Sequence, residues 1–218
     1  MDRTQREAAW LRSAQRRGPV NALLWPLSLI YQCLMFLRRW LYAAGVLRVQ
    51  RLGVPVIVVG NVVVGGAGKT PCTIAVVNHL LARGWRPGVV SRGHGRRSDG
   101  VLSVDPTASA VDVGDEPLLI QRSTGVPVYV ATRRAQAGQA LLAAHPQVDV
   151  LVCDDGLQHL ALGRDVSIVV FDDRGVGNSW MLPAGLLREP WPPAAHTPFR
   201  PDIVLHQSRS AAMDPQRS

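Results

Sequence analysis

Residues 54–71 contain glycines, one lysine and one threonine at the spacing that binding a nucleotide's phosphates requires. The glycines allow positive φ angles, so that several backbone N–H groups can turn toward one anion. Lys69 can then reach the β- and γ-phosphates, and the Thr70 hydroxyl can bind Mg²⁺. The residues predicted to contact the nucleotide here are Gly65, Gly66, Ala67, Gly68, Lys69 and Thr70. Val63 replaces the first glycine of the general pattern, which leaves a plain glycine-rich turn as the alternative.

The basic residues support the phosphate-binding interpretation. Of the 24 lysine and arginine residues, Lys69 is the one lysine. A compact ammonium suits a tight phosphate loop better than the planar fork of arginine does. We therefore interpret Lys69 as a chemical requirement at this position. The same count excludes the Asn-Lys-x-Asp sequence that reads guanine, which argues against an ordinary GTPase.

Acidic residues follow two other segments. An apolar run over residues 148–153 ends in Asp154 and Asp155, as a strand carrying a metal-binding carboxylate does. We expect both side chains beside the Mg²⁺ on Thr70. Asp115 and Glu116 begin a helical pattern, where acidic residues are either a catalytic pair or ordinary charges favoured by the helix dipole.

The elements that must position these residues alternate along the chain. Continuous apolar runs predict strands at residues 54–59, 88–90, 126–130, 148–153, 166–171 and 203–205, and helical periodicity follows Lys69, Pro117 and residue 134. This order predicts an α/β fold, a P-loop NTPase-like three-layer sandwich with a mostly parallel sheet. We expect the core to span residues 52–206, with a loop over 98–113 and a disordered tail at 207–218.

The first 51 residues differ from the rest in charge and hydropathy. They hold +7 of the net charge of +8. Residues 1–19 are polar, and a 16-residue apolar run follows at residues 22–37. This run is interrupted by Pro26, is closed by Arg38 and Arg39, and is shorter than the ~20 residues of a spanning helix. We predict a helix on an anionic membrane surface, with a helix packed in the core as the alternative. The arginines alternate with apolar residues, which argues against nucleic acid binding.

Three cysteines, Cys33, Cys72 and Cys153, are isolated in the sequence and in apolar surroundings. They have no metal-ligand spacing and suggest no disulfide framework, which suits a reducing compartment.

Five motifs together carry a resemblance to a known family. They are VPVIVVGNVVVGGAGKTP, SRGHGRR, GDEP, DDGLQH and RGVGNSWMLPAGLLREP. In this order they closely resemble the tetraacyldisaccharide 4'-kinases of lipid A biosynthesis, from about residue 19 to residue 190. The resemblance implies an enzyme at the cytoplasmic face of the bacterial inner membrane. This enzyme would use ATP and Mg²⁺ to phosphorylate the 4'-hydroxyl of a tetraacylated disaccharide 1-phosphate.

The resemblance also implies roles for individual residues. Asp115 matches the catalytic acidic residue near the attacking hydroxyl, with Lys69 as the catalytic cation. Asp154 and Asp155 match the metal position. Further residues are implied near the nucleotide or in shaping the site: Arg188, Glu189, Glu116, Gln158 and His159.

The resembled family also has a C-terminal lobe with a histidine that pairs with the GDEP aspartate. Neither His196 nor His206 has a matching context. We therefore expect this 218-residue chain to bind Mg-ATP but to phosphorylate the lipid poorly. The alternatives are a nucleotide-binding membrane protein without turnover and a P-loop ATPase acting on a protein partner, although no particular protein partner is indicated.

Overall fold

A computed structural model describes residues 10–65, 68–194, 197 and 199–207. The strands are β1 (Val56–Gly60), β2 (Pro87–Ser91), β3 (Leu102–Ser103), β4 (Val128–Val130), β5 (Val150–Asp154), β6 (Val166–Phe171) and β7 (Ile203–His206). The helices are α1 (Pro19–Ala43), α2 (Lys69–Ala82), α3 (Ala110–Val113), α4 (Asp115–Thr124) and α5 (Arg134–Ala144).

The strands form one sheet in the order β3-β4-β2-β5-β1-β6-β7. Every neighbouring pair is parallel except β3 with β4. Val59 near the end of β1 pairs with Asp154 at the end of β5. The phosphate loop and the acidic residues after β5 therefore start at neighbouring points on the carboxyl edge of the sheet, where ligands bind in open α/β folds.

Helices cover both faces of the sheet. Val77 of α2 and Ile120 of α4 are buried in one apolar cluster. Leu141 of α5 and Met35 of α1 are buried in a second cluster. Successive β5 residues, Leu151 and Val152, belong to different clusters, because neighbouring strand residues point to opposite faces. The predicted three-layer α/β sandwich with a mostly parallel sheet is confirmed.

Two local predictions were wrong. The polar stretch 98–113, predicted as a loop, contains β3 and α3. The two residues of β3 pair with the edge of β4, a contact that no local pattern of two residues can specify. The Ser109 hydroxyl accepts a hydrogen bond from the Val111 N–H at 3.2 Å and so caps α3. β4 is also shorter than predicted and begins at Val128.

The N-terminal helix is longer than predicted. α1 runs unbroken for 25 residues, with Pro26 inside it, and Arg38 and Arg39 lie within the helix instead of closing it. It is the one helix of the described residues that is long and apolar enough to cross a membrane by length and composition. Pro26 removes one backbone hydrogen bond from the helix, and apolar residues continue on both sides of this position. α1 is a candidate membrane-associating helix.

α1 contacts the rest of the protein through a narrow stripe. Its buried residues are Asn21, Ser28 and Met35, spaced seven apart. Large apolar side chains elsewhere on the helix are exposed, including Leu23 at 81% and Phe36 at 72%. The alternative of a core helix packed on the domain fits only the buried stripe, because most of the large apolar side chains of α1 are exposed.

The described start of the chain, residues 10–19, packs partly against the core although its sequence is polar. Ala14 is buried in the core, and Trp10 and Leu11 pack against it. Arg17 donates to the Asn178 carbonyl at 3.3 Å. Residues 1–9 and 208–218 lie outside the described residues, so the disordered tail remains a prediction, as does the division at residue 51. Gln207 is ordered at the sheet edge, where its N–H donates to Phe171 at 2.8 Å.

Candidate active site

The loop between β1 and α2 requires glycine at two described positions. Gly65 and Gly68 have φ angles of +96° and +73°, in the region that side chains disfavour. Gly66 and Ala67 lie outside the described residues, so their predicted contacts stay predictions. The backbone geometry suits a phosphate loop in the part that is described.

Asn61 braces this loop and was missed in the sequence. It follows β1 directly, is fully buried, and donates from Nδ2 to the Gly65 carbonyl at 3.2 Å. Its Oδ1 atom is buried without a hydrogen-bond partner within the described part of the chain. The signal in the sequence was a polar residue at the end of a buried strand, where loops that bind ligands begin.

Asp154 is held in place by two hydroxyl groups. Its Oδ1 accepts from Thr73 of α2 at 2.9 Å, and its Oδ2 accepts from Ser91 of β2 at 3.4 Å. Burial raises the pKa of Asp154 to about 6, although the Thr73 hydrogen bond lowers it. The negative charges of Glu116 and Asp155 also raise this pKa, and Lys69 lowers it. Thr73 was not predicted, although it lies one helical turn after Thr70.

Asp155 lies between two cations. Its Oδ1 atom is 3.7 Å from the Lys69 ammonium and 3.5 Å from the Arg188 guanidinium. Asp155 has a φ of +47°, an uncommon backbone conformation for a residue other than glycine. The Oδ1 atom is buried and accepts no hydrogen bond from the residues described. This geometry brings together three residues that the sequence placed in one site.

The oxygen atoms near Asp155 suit Mg²⁺. The described residues contain no group of three or more His, Cys, Asp or Glu side chains that could hold a metal ion. Mg²⁺ does not need such a cage, because it keeps several waters and binds one or two carboxylates together with substrate phosphates. Asp155 Oδ1, which accepts no hydrogen bond from the described residues, the Asp154 carboxylate and the hydroxyl of buried Thr70 are oxygen groups of the kind that this mode uses.

Gln158 and Glu189 connect the phosphate loop to the rest of the site. The Gln158 amide donates to the Asn61 carbonyl at 3.0 Å and to Glu189 Oε1 at 2.9 Å. Glu189 is buried and forms an ion pair with Arg39 of α1. The position of Arg39 was not predicted, because its place in the sequence indicated a membrane flank.

A pocket of about 490 Å³ opens beside Asp155. Its lining includes Arg38, Arg92, Arg134, Arg188, His159 and Tyr31. Arg134 is 8% exposed, and its guanidinium donates to the carbonyl groups of Thr132 at 3.3 Å and Asp155 at 3.2 Å.

This pocket favours an anion. Burial lowers the pKa of His159 to about 4, and Arg134 is the largest of the nearby charges that lower it further. Burial likewise lowers the pKa of Arg134. The imidazole is therefore neutral near pH 7, and the four guanidinium groups leave the pocket positively charged. Arg134 was missed, because an arginine at the start of a helix carries no signal of its burial.

Asp115 and Glu116 begin α4, which places them at the same edge of the sheet. A Cβ at Gly114 would lie 3.1 Å from the Gly93 Cα, so the GDEP segment packs against the SRGHG loop. Glu116 raises the pKa of Asp154 and so lies within its electrostatic range. The Asp115 side chain is exposed and forms no hydrogen bond or ion pair with residues in the described ranges. The structure therefore does not join Asp115 to the cluster around Asp155, and its catalytic role stays a prediction.

The chain matches known proteins of one family. A model of the tetraacyldisaccharide-1-P 4'-kinase family matches residues 20–218. The tetraacyldisaccharide 4'-kinase of Acidovorax ebreus is 64% identical over 90% of this chain and 56% of the relative. The enzyme of the same name from Delftia acidovorans is 57% identical over 85% of this chain and 55% of the relative.

A solved structure is similar in fold. The apo form of LpxK from Aquifex aeolicus in complex with ATP matches with a TM-score of 0.72 and 35% identity. The match covers 78% of this chain and 55% of that protein. The present chain thus spans about half the length of the relatives that it matches. It belongs to the tetraacyldisaccharide-1-P 4'-kinase family.

Proposed function

We propose that this chain carries the ATP-binding and phosphoryl-transfer site of a tetraacyldisaccharide 4'-kinase. The reaction would transfer the γ-phosphoryl group of ATP to the 4'-hydroxyl of a tetraacylated disaccharide 1-phosphate. The observation that carries the proposal is the cluster of Lys69, Asp155 and Arg188 at the carboxyl ends of β1 and β5, beside a glycine-rich loop. The enzyme names of the relatives support the choice of a lipid kinase over an ATPase that acts on a protein partner.

In this proposal the catalytic power comes from positioning and charge. Mg²⁺ would neutralise charge on the β- and γ-phosphates, held by Thr70 with the carboxylates of Asp154 and Asp155. Lys69 would bind the same phosphates. If ATP binds, a phosphate oxygen would take the place of Asp155 beside Lys69, and Mg²⁺ would take the place of Lys69 beside Asp155. Opening this 3.7 Å pair would then leave neither charge without a partner. Arg188 would stabilise the negative charge of the group in transfer.

The lipid acceptor is proposed to bind in the 490 Å³ pocket beside Asp155, which we call the arginine pocket. A sugar phosphate ester presents anionic oxygens, and Arg38, Arg92 and Arg134 line the pocket next to Asp155. Neutral His159 in its wall can donate or accept a hydrogen bond with a sugar hydroxyl without adding charge. Asp115 is proposed as the base that receives the hydroxyl proton. In the described structure its carboxylate is exposed and free of ion pairs, as a base that must meet a substrate requires.

The acyl chains of the acceptor would lie along α1. An apolar groove of about 730 Å³ lies between α1 and described residues of the segment that follows Glu189. Its lining includes Phe36 and Trp40 of α1 and Pro190 of that segment. The groove and the arginine pocket lie on either side of the same helix. The exposed apolar side chains of α1 and the positive charge of the first 51 residues support a place at an anionic membrane. We propose the cytoplasmic face of the bacterial inner membrane, where ATP is available.

The proposed reaction is tested by transfer of radiolabelled γ-phosphate from ATP to tetraacyldisaccharide 1-phosphate. The transfer should require Mg²⁺ and should fall at least about 10²-fold in Asp115→Asn, as loss of a general base typically does. Mg-ATP binding should be kept in this variant, because Asp115 contacts none of the proposed nucleotide ligands. A chain that does not bind Mg-ATP would contradict the nucleotide site, and transfer at the parent rate in Asp115→Asn would contradict the proposed base.

A further inference from the structure

A chain of polar contacts connects α1 to the phosphate loop. Arg39 of α1 pairs with Glu189, and the other oxygen of Glu189 accepts from the Gln158 amide at 2.9 Å. The same amide donates to the Asn61 carbonyl at 3.0 Å, and the Asn61 side chain donates to Gly65 at 3.2 Å. We call these four residues, Arg39, Glu189, Gln158 and Asn61, the α1 relay.

The relay is buried at Asn61 and Glu189 and half-buried at Gln158 and Arg39. Asn61 is 0% and Glu189 6% exposed, and the Arg39 side chain is 15% exposed. The Arg39 guanidinium also lies 5.3 Å from the centre of the Phe199 ring. Charge pairs in such surroundings are weakly screened, so each depends strongly on its partner. This separates Arg39 from the exposed arginines of the same segment, such as Arg48.

Glu189 needs this partner for an electrostatic reason. A buried carboxylate near a loop that binds phosphates places negative charge beside negative charge. Arg39 neutralises this charge and leaves one oxygen of Glu189 to hold Gln158. If Arg39 is removed, the buried carboxylate loses its ion pair and keeps only the Gln158 amide as donor, with Arg164 as a cation whose charge still acts on it. Gln158 and the loop residue Asn61 are then held less firmly.

We propose that Arg39 is a positioning residue for nucleotide binding, which acts through Glu189, Gln158 and Asn61 on the phosphate loop. This inference rests on the proposed nucleotide site. It adds that α1 carries a part of that site's support as well as a surface for the membrane. The seating of α1 on the core and the affinity for ATP are then linked, and such coupling is reciprocal between the two events.

The test measures the dissociation constant of Mg-ATP by calorimetry on the full chain. Arg39→Ala should raise the constant by about 5–150-fold, the usual range of coupling between sites. Arg48→Ala is the control for charge, since it removes one exposed arginine from the same basic segment. Ser28→Ala is the control for loosening of α1. The Ser28 hydroxyl donates to Met181 at 2.8 Å and accepts from Ala184 at 3.0 Å, and it contacts no member of the α1 relay.

Two further variants separate positioning from loss of fold. Arg39→Lys keeps the charge but not the planar fork, so its constant should lie between those of the parent and Arg39→Ala. It also covers the case in which Arg39→Ala does not fold. In a Glu189→Gln background Arg39→Ala should have a much smaller effect, because no buried carboxylate is left unpaired.

The outcomes distinguish the two proposals. If the parent does not bind Mg-ATP, the proposed nucleotide site is wrong and the inference falls with it. If the parent binds and both Arg39 variants bind equally well, the nucleotide site stands and the relay is refuted. Equal weakening by Ser28→Ala and Arg39→Ala also refutes it, because any loosening of α1 would then suffice. Weakening by the Arg39 variants alone supports the relay.

Discussion

The hydroxyl of Thr73 should contribute to both stability and metal-dependent nucleotide binding. Thr73 is fully buried in α2, and its Oγ1 donates to the Asp154 carboxylate at 2.9 Å. The second contact of this carboxylate, from Ser91, is longer at 3.4 Å. Thr73→Val keeps the shape of the side chain and removes only the donor. Asp154 would then be a buried carboxylate held by one weak hydrogen bond.

The size of the effect follows from the type of hydrogen bond. A bond to a charged group contributes about 1.5–3 kcal/mol, and one between neutral groups about 0.5–1.5 kcal/mol. We therefore expect Thr73→Val to lower the free energy of unfolding by about 2 kcal/mol. In a chain of this size that corresponds to a fall in Tm of roughly 4–8 °C. Groups that orient a metal ligand typically change metal affinity by about 10–100-fold, so Mg-ATP binding should weaken by that factor.

The assay combines urea unfolding in the presence of EDTA with calorimetric titration of Mg-ATP. Thr124→Val is the matched control, because the Thr124 hydroxyl donates to the neutral Ile120 carbonyl at 2.7 Å, away from the site. It should cost about 1 kcal/mol and leave Mg-ATP affinity unchanged. If Thr73→Val costs no more than Thr124→Val and binds Mg-ATP as the parent does, Asp154 is not held in the way that we describe.

Three other outcomes are expected. Lys69→Ala should abolish the rise in Tm with Mg-ATP, because the one ammonium that can reach the phosphates is lost; a parent-like rise would contradict the phosphate-loop assignment. Replacing the exposed Leu23, Ile30 and Phe36 with Gln should reduce sedimentation with anionic vesicles at an unchanged urea midpoint, and unchanged sedimentation would argue against α1 as the membrane surface. His159, whose pKa is lowered to about 4, should contribute stability above its ordinary pKa near 6.5 that is lost as pH falls toward 4. His159→Gln should therefore flatten the dependence of the urea midpoint on pH between 4 and 6.5, and an equally steep dependence would show that this histidine is not buried in its neutral form.

The local sequence was sufficient for most of the sheet and for the phosphate loop. Strands buried on both faces appear as continuous apolar runs, so β1, β5 and β6 were predicted from their own residues. The glycines at 65 and 68 and the adjacent Lys69 depend on backbone conformation and on a helix start, which are local properties. β3 and α3 were missed because each is short and is stabilised by contacts outside its own residues.

The length of α1 was misjudged for a related reason. Pro26 and the Arg38-Arg39 pair are typical of helix ends, but the helix continues through all three. The extent of the helix depends on where Asn21, Ser28 and Met35 contact the core. These contacts can be identified only in the packed structure.

The residues that hold the site illustrate the same limit. Sequence by itself indicated that Lys69, Asp154 and Asp155 lie together, because strand order and motif spacing bring such residues to one edge of a sheet, and their roles toward phosphate and metal stay predictions. Only the tertiary structure decided that Arg39, Asn61, Thr73 and Arg134 support them. Each of these is separated in sequence from some of its partners and has an unremarkable local context. Burial and charge pairing are properties of the packed molecule, and they pair Arg39 with Glu189, a contact that its position in a basic, apolar segment did not indicate.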